Sequence, residues 1–599
     1  MDDLMAQAEA LGVLPRFWDL AGTERVTSPE TASALIQAMG LEVGAPVEAG
    51  PGWRVIGPEL FDPGAAWRIK LEGGEEIEGN GPVDLPLGIH WWASANSWLL
   101  VAPASLPLPD RGWGVTAPLY GLRQAEVGPI GTYADLKRAS EAAASAGAGF
   151  LGINPVHAGF PTDPDAISPY SPSDRRHFST DYIDLGQGQP STELVDVAGA
   201  RTVLRQVLEA RFPDGQRDPG FSVWRAERGE ALRRFATHQA LSDRFGAYWP
   251  NWPDEYRDPA SEAVAAFQAK HEETVSFHAW AQYLAEAQLA EAATAAPLYL
   301  DLAVGTRPDG AETWAEREVF AKDVSLGAPP DAFSPGGQTW GLAPFNPRAL
   351  VASGFKALAE TLRVQFRYAK ILRIDHILGF ERAFWVPEDG TPGAYVAMPR
   401  DAMLAVVRIE AARAGAAVVG EDLGMIPDGL QDALAASGIL GCRVAMFETH
   451  PDGARPAHDY AERALTSWGT HDLPTFAGWK AGRDIEVRQR LRHMDQAAAD
   501  WARGERVAAR DSLCGVAGET VDDVHRFLAE TPSRLVAVQA EDVLGLVEQP
   551  NLPGTIDEYP NWRRRLGVAP ERLGEVIKPV AAQMADAGRG ASQDPSEGV

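Results

Sequence analysis

Three apolar runs in the second half of this chain each stop on charged residues. Residues 370–380 read Lys-Ile-Leu-Arg-Ile-Asp-His-Ile-Leu-Gly-Phe, residues 416–424 read Ala-Ala-Val-Val-Gly-Glu-Asp-Leu-Gly, and residues 465–474 read Leu-Thr-Ser-Trp-Gly-Thr-His-Asp-Leu-Pro. Ile371, Leu372 and Ile374 are apolar and largely β-branched, the composition of a strand buried on both faces of a parallel sheet. With a side-chain period of two, Arg373 and Asp375 share a face, so the guanidinium can hold the carboxylate ionised. On that spacing alone a satisfied structural ion pair fits as well as a catalytic one. The recurrence favours catalysis: a (β/α)8 barrel carries its site at the C-terminal ends of its strands, and carboxylates converging from separate strands suit glycosidic bond chemistry.

Eight candidate strands can be placed, at 119–123, 150–154, 298–304, 371–375, 417–421, 441–447, 465–468 and 534–539, mostly separated by helical patterns. The fold expected is therefore α/β, a (β/α)8 TIM barrel with inserted helical subdomains, spanning 113–580. Its largest insertion, about 156–296, is too long for a single crossover. Ahead of it, residues 1–48 read as a small helical module, with Ser28 as N-cap and Pro29 opening a helix. Residues 49–112 read as a β-rich module in which Trp91, Trp92 and Trp98 are core or, less commonly, sugar platforms. Tyr248, Trp249 and Trp252 lie among prolines, where glucan contact and hinge packing are equally open. Residues 585–599 lack periodicity and are expected to be disordered.

Lys and Arg number 54 against 83 Asp and Glu, a net charge of -29. That surface repels nucleic acid and anionic membrane, whereas a neutral sugar polymer is indifferent to it. The two cysteines, Cys442 and Cys514, are too few for a disulfide framework. The acidic start lacks the features of a secretion signal, and no apolar stretch nears the roughly 20 residues that span a bilayer. A cytoplasmic location is the expectation. The dispersed histidines His157, His376, His450, His458 and His471 show no paired ligand spacing, and no phosphate-binding glycine loop is present, so neither metal nor cofactor is expected.

Taken with their flanks, the three strand ends resemble those of the 4-α-glucanotransferases, the amylomaltase or disproportionating-enzyme family related to the α-amylases. The matching stretches lie at 152–158, 168–173, 327–331, 337–341, 373–376, 421–424, 470–475 and 548–565, in the family's order from about 115 to 566. The modules before 115 are similar to those of longer bacterial members. The resemblance implies Asp375 as nucleophile, Glu421 as general acid/base and Asp472 as transition-state stabiliser, with the first two about 5 to 5.5 Å apart in a retaining reaction. Glu421 and Asp422 should point to opposite sides of their strand, and only the resemblance selects Glu421. It also implies sugar contacts from Arg373, His376, His471, Tyr170, Ser168, Asp301, Asp331, Gln338 and Trp340, the last three in a proline-rich loop arching over the site.

The implied activity is transfer of an α-1,4-glucan segment from a maltooligosaccharide to the 4-hydroxyl of glucose or a glucan. An amylase-type hydrolase and a non-catalytic glucan-binding protein are the alternatives. The sequence departs from the family at 127–133, which lacks the usual Trp and Asp, and at Ala332, where some members carry an aromatic.

Overall fold

The computed structural model describes residues 2–19, 22–123, 128–186, 192–330 and 337–590. Its centre is a closed parallel barrel of eight strands in sequential order: β1 (Gly112–Thr116), β2 (Leu151–Gly152), β3 (Leu298–Leu302), β4 (Ala369–Ile374), β5 (Ala417–Gly420), β6 (Leu440–Val444), β7 (Ala464–Ser467) and β8 (Leu535–Gln539). Inside the barrel Phe150, Tyr299, Ile371, Val419, Leu440, Leu465 and Leu535 interlock as one apolar cluster. Each such side chain contributes about 1.5–3 kcal/mol by leaving water. Gly114 makes room for this layer, because a Cβ there would sit 2.4 Å from the Phe150 ring.

Seven of the eight expected strands are present, and the first differs. Residues 119–123 do not extend: Leu119–Gly121 is a 3-10 turn, and the strand lies earlier, at Gly112–Thr116. The Asn154 side chain explains the turn, its Oδ1 accepting from the Leu119 amide at 2.8 Å and so removing that donor from any ladder. Two glycines in Gly-Trp-Gly-Val-Thr disguise β1 as loop.

The register sets the mouth of the barrel. Asp301 of β3 stands beside Arg373 of β4, which stands beside Val419 of β5. The Asp375 amide donates to the Leu302 carbonyl at 3.0 Å and the Glu421 amide to the Ile374 carbonyl at 3.0 Å, so these carboxylates leave neighbouring strands at one level.

Between β2 and β3 the insertion is mainly helical, with Val197–Gly215, Pro219–Phe245, Glu262–Lys270 and Glu272–Ala295. Trp252 is fully buried in it, edge-on to Trp314, which is the packing reading of that aromatic group. At the amino end, helices Asp2–Ala10 and Pro29–Ala38 are joined by a hairpin, Arg16–Trp18 with Glu24–Val26, that the sequence did not announce. Phe17 of that hairpin packs edge-on to Phe384 and Tyr395, tying the module to a rim sheet that also contains Val324–Ala328. The next module is a five-stranded sheet in which Trp67, Ile69, Trp92, Leu99 and Val101 form a core, with Trp91 and Trp98 packed on each other.

The expected tail is ordered at its start. Helix Lys578–Asp586 covers it, and Arg589 is fully buried, donating to the carbonyls of Ala529, Thr531 and Gly112. Residues 591–599 lie outside the described residues. Among the described residues no helix is long and apolar enough to cross a membrane.

Candidate active site

A cleft of about 1000 Å³ opens over the C-terminal ends of the barrel strands, and Asp375, Glu421 and Asp472 all line it. So do Ser168, Tyr170, Gln338, Trp340, Arg373, His376 and His471. Asp301 lies just beneath, and Asp331 is outside the described residues, as are Val127 and Ala332. The described part of the altered loop serves the scaffold instead: Thr132 caps helix Tyr133–Ser145 in a box with Asp135, and Arg123 bonds both side chains.

Arg373 organises the Asp375 side of the cleft. Its Nη1 donates to Asp375 Oδ1 at 2.7 Å and to both Asp301 oxygens at 2.8 and 2.9 Å. Asp375 Oδ2 has no hydrogen bond to the described residues, which leaves it available for bond formation. Burial and the neighbouring Asp375 charge push the Asp301 carboxyl upward, and Arg373 opposes them. Arg373 keeps its charge well above the ordinary range because those carboxylates outweigh its burial.

Glu421 sits in the opposite electrostatic condition. Its Oε2 accepts from the His376 amide at 2.9 Å and its Oε1 from the Leu423 amide at 3.1 Å, two bonds that favour the ionised form. Burial and the Asp375 charge outweigh them and raise it to about 7, so near neutrality it can both give and take a proton. Asp422 does turn the other way, buried against Arg443 at 3.0 Å with its Oδ1 accepting from the Cys442 amide. The His376 backbone is left-handed at φ 46°, which aims its amide at Glu421. Its imidazole is lowered by burial and stays neutral, under the edge of the Trp340 ring at 5.0 Å.

On the third side, Tyr170 links the carboxylates. Its hydroxyl donates to Asp301 Oδ2 at 2.6 Å and meets His471 Nδ1 at 3.0 Å. Since that hydrogen is given to Asp301, Nδ1 must be the donor in the second contact. His471 Nε2 faces Asp472 Oδ2 at 3.4 Å, which becomes an ion pair when the imidazole carries both protons. Burial opposes that charge and Asp472 overrides it, raising the imidazole. Asp472 leaves 44% of its side chain open to the cleft, with the rest recessed in its wall. Its recess disfavours ionisation, but His471 and an amide from Asn551 hold it down at about 2.

Several lining residues escaped the sequence reading. Asn551 lies within the matched run 548–565, but its role depends on a contact 79 residues distant. Trp562, at left-handed φ 59°, packs on Tyr170 and His471 with centroids 5.3 and 5.6 Å apart. His157 is structural, buried with Nε2 accepting from the Ala303 amide at 3.2 Å. Among the described residues no cluster of His, Cys, Asp and Glu could hold a metal ion.

The model of the 4-alpha-glucanotransferase family matches residues 117–569. A 4-alpha-glucanotransferase of Mycobacterium bovis is 34% identical over 589 residues, covering 86% of this chain and 81% of the relative. One from Haemophilus influenzae is 29% identical, covering 78% of each. Among solved structures, amylomaltase from Corynebacterium glutamicum superposes with a TM-score of 0.85 at 27% identity, over 97% of this chain and 99% of that one. Amylomaltase from Streptococcus agalactiae, solved in complex with acarbose, shares the fold with a TM-score of 0.66 at 21% identity, over 80% of this chain and 100% of that one.

Proposed function

The chain belongs to the 4-alpha-glucanotransferase family, and from that premise we propose that it moves α-1,4-glucan segments between maltooligosaccharides by double displacement at Asp375. In the first step Asp375 Oδ2 attacks the anomeric carbon. The bond from that carbon to the 4-oxygen of the leaving sugar breaks, and Glu421 gives its proton to that oxygen. In the second step the 4-hydroxyl of glucose or a glucan attacks the glycosyl-Asp375 carbon and Glu421 takes the proton back. Two inversions leave the α configuration intact. Asp472, ionised between Asn551 and His471, offers its charge to the positive carbon that develops in both steps.

The observation that carries this reading is a division of labour among three carboxyl groups in one cleft. Asp472 is held down at about 2 and Asp375 is ion-paired, while Glu421 is raised to about 7. Groups pushed apart in this way divide acid and base roles. Arg373 and His471 balance the negative charge, and Trp340 and Tyr170 supply flat apolar surface for sugar rings. Glucan is the partner this cleft fits.

The test is incubation with maltotriose and no added cofactor. Glucose together with a ladder of longer chains, at constant reducing ends, supports transfer. Rising reducing ends without longer chains would make the protein a hydrolase, and no turnover would leave only glucan binding.

A further inference from the structure

Below the cleft floor, within the mouth of the barrel, lies a second cavity of about 110 Å³ whose wall includes Tyr120, Asp301, Arg373, His471, Gln539 and Glu541. Glu541 enters it from the short helix Ala540–Val543, which follows β8 directly, and is buried there. A carboxyl at that depth is ordinarily paired. Asp301, on the same wall, has Arg373 and Tyr170 as partners, whereas among the described residues the Glu541 carboxyl takes a hydrogen bond from its own backbone amide and none from a neighbouring side chain. Two buried atoms at this cavity, the Tyr120 hydroxyl and Gln539 Oε1, have no hydrogen-bond partner among the described residues. Polar groups left this way are costly, and a cavity that gathers several of them on its wall and has room for waters of about 30 Å³ each lets them communicate.

The double displacement does not use Glu541, yet His471 faces the same cavity. We propose that Glu541 is a positioning residue for glucan transfer, whose carboxylate acts across this cavity on the His471 imidazole and keeps both of its nitrogens protonated. In that state His471 bridges Tyr170 and Asp472, and without it Asp472 loses a hydrogen bond and the network loses a cation. The inference rests on the reading of Asp375, Glu421 and Asp472 as the catalytic carboxylates.

Glu541 adds to charges already set around His471. Asp472 favours the imidazolium from the cleft side and Asp301 from the cavity wall, and Arg373 opposes it; the His471 charge is in turn felt by the Glu541 carboxyl. Tyr120 faces Glu541 as a neutral phenol, and Cys442 lies at the cavity wall as a neutral thiol, both held protonated by burial. Asp542, next in the helix, accepts from the Phe476 amide at 2.6 Å through Oδ1, while its Oδ2 is buried with no partner among the described residues, and burial and the Glu541 charge raise its carboxyl to about 7 as well. Burial lifts Glu541 to about 7, so it gains its charge in the range where an imidazole ordinarily gives up its proton.

The experiment compares the full-length protein with Glu541→Gln, which keeps the shape and removes the charge. The His471 imidazole is followed by ¹⁵N NMR in the free enzyme, with His471→Asn to assign its signals, beside pH profiles of kcat and KM on maltotriose. In E541Q His471 should lose its second proton about one pH unit earlier. Above pH 7 kcat should fall several-fold with KM little changed, while the melting temperature is equal or higher because a buried carboxyl with no side-chain hydrogen-bond partner has gone. Glu541→Asp, which restores the charge, should return the titration toward that of the unaltered protein. An unchanged His471 titration in E541Q overturns the proposal, and so does a loss of thermal stability with superimposable pH profiles. Because the titration is read without substrate, its outcome is separate from whether Asp375 proves to be the nucleophile.

Discussion

Asn551 donates its side-chain amide to Asp472 Oδ1 at 2.5 Å across 79 residues of chain. Its own backbone is anchored nearby, the Asn551 amide donating to the His471 carbonyl at 3.1 Å. The loop after β8 is thereby fixed to the end of β7, and the carboxylate proposed to stabilise the transition state is aimed by a neutral donor that cannot itself titrate. A hydrogen bond to a charged group is worth about 1.5–3 kcal/mol. Asn551→Ala should therefore lower kcat/KM by roughly 10- to 100-fold with the fold intact by circular dichroism. Asn551→Asp, which sets a like charge against Asp472, should cost more than the alanine. Equal activity of N551A and the unaltered protein would remove Asn551 from the machinery.

Glu421 and Asp375 can be separated by the leaving group. Asp375→Asn removes the proposed nucleophile and should abolish transfer from every donor, by at least about a thousandfold. Glu421→Gln should be comparably slow on maltotriose, whose leaving oxygen needs a proton. From α-maltosyl fluoride, whose leaving group needs none, it should still form the glycosyl-enzyme, detectable as added mass on Asp375. If E421Q is equally inert with the fluoride, Glu421 is not the acid.

The strand ends were legible because burial on both faces leaves a strong sequence mark: Ile371, Leu372 and Ile374 run apolar until Arg373 and Asp375 interrupt them. β1 was not, since its two glycines serve close packing against Phe150 rather than strand propensity. The choice between Glu421 and Asp422 was invisible in the residues, because it depends on Arg443 of β6 taking Asp422. Asn551 and Glu541 were hidden for a related reason. Each acts on a residue from another strand, and no local spacing records that meeting. The hairpin at Arg16–Val26 was missed because only Phe17 of its first strand is buried, leaving no alternation to read.

The β-rich module is held to the barrel by charge. Glu72 accepts from Arg413 and Arg363 at 2.6 Å each, and both arginines also reach the buried Glu410. Partial burial works against the Glu72 charge, but the Arg413 hydrogen bond and the Ile89 amide outweigh it and bring the carboxyl to about 2. A depressed value means stability that is present above the unfolded value near 4.5 and is lost as pH falls from there toward 2. Because Arg363 is 40% exposed, solvent screening reduces the effect to roughly 1–2 kcal/mol. Glu72→Gln should lower the melting temperature at pH 7, and the difference from the unaltered protein should shrink below pH 4. A gap that persists undiminished at pH 3 would show that packing, not charge, joins the module.

The rate should follow the protonation of Glu421. Its value near 7 is raised above the ordinary carboxyl range by burial first and by the Asp375 charge second, against two amide donors and Arg373. The proton is needed on Glu421 when the glycosidic bond breaks, so kcat/KM for maltotriose should be level below about pH 6 on this limb. It should then fall with a midpoint near 7 and decline tenfold per unit beyond about 8. Formation of the glycosyl-enzyme from α-maltosyl fluoride bypasses that proton and should continue at pH 8.5, where the maltotriose rate is low. The same alkaline fall with both donors would locate the titrating group elsewhere in the network, with His471 the first residue to examine, since its imidazole contacts both Tyr170 and Asp472.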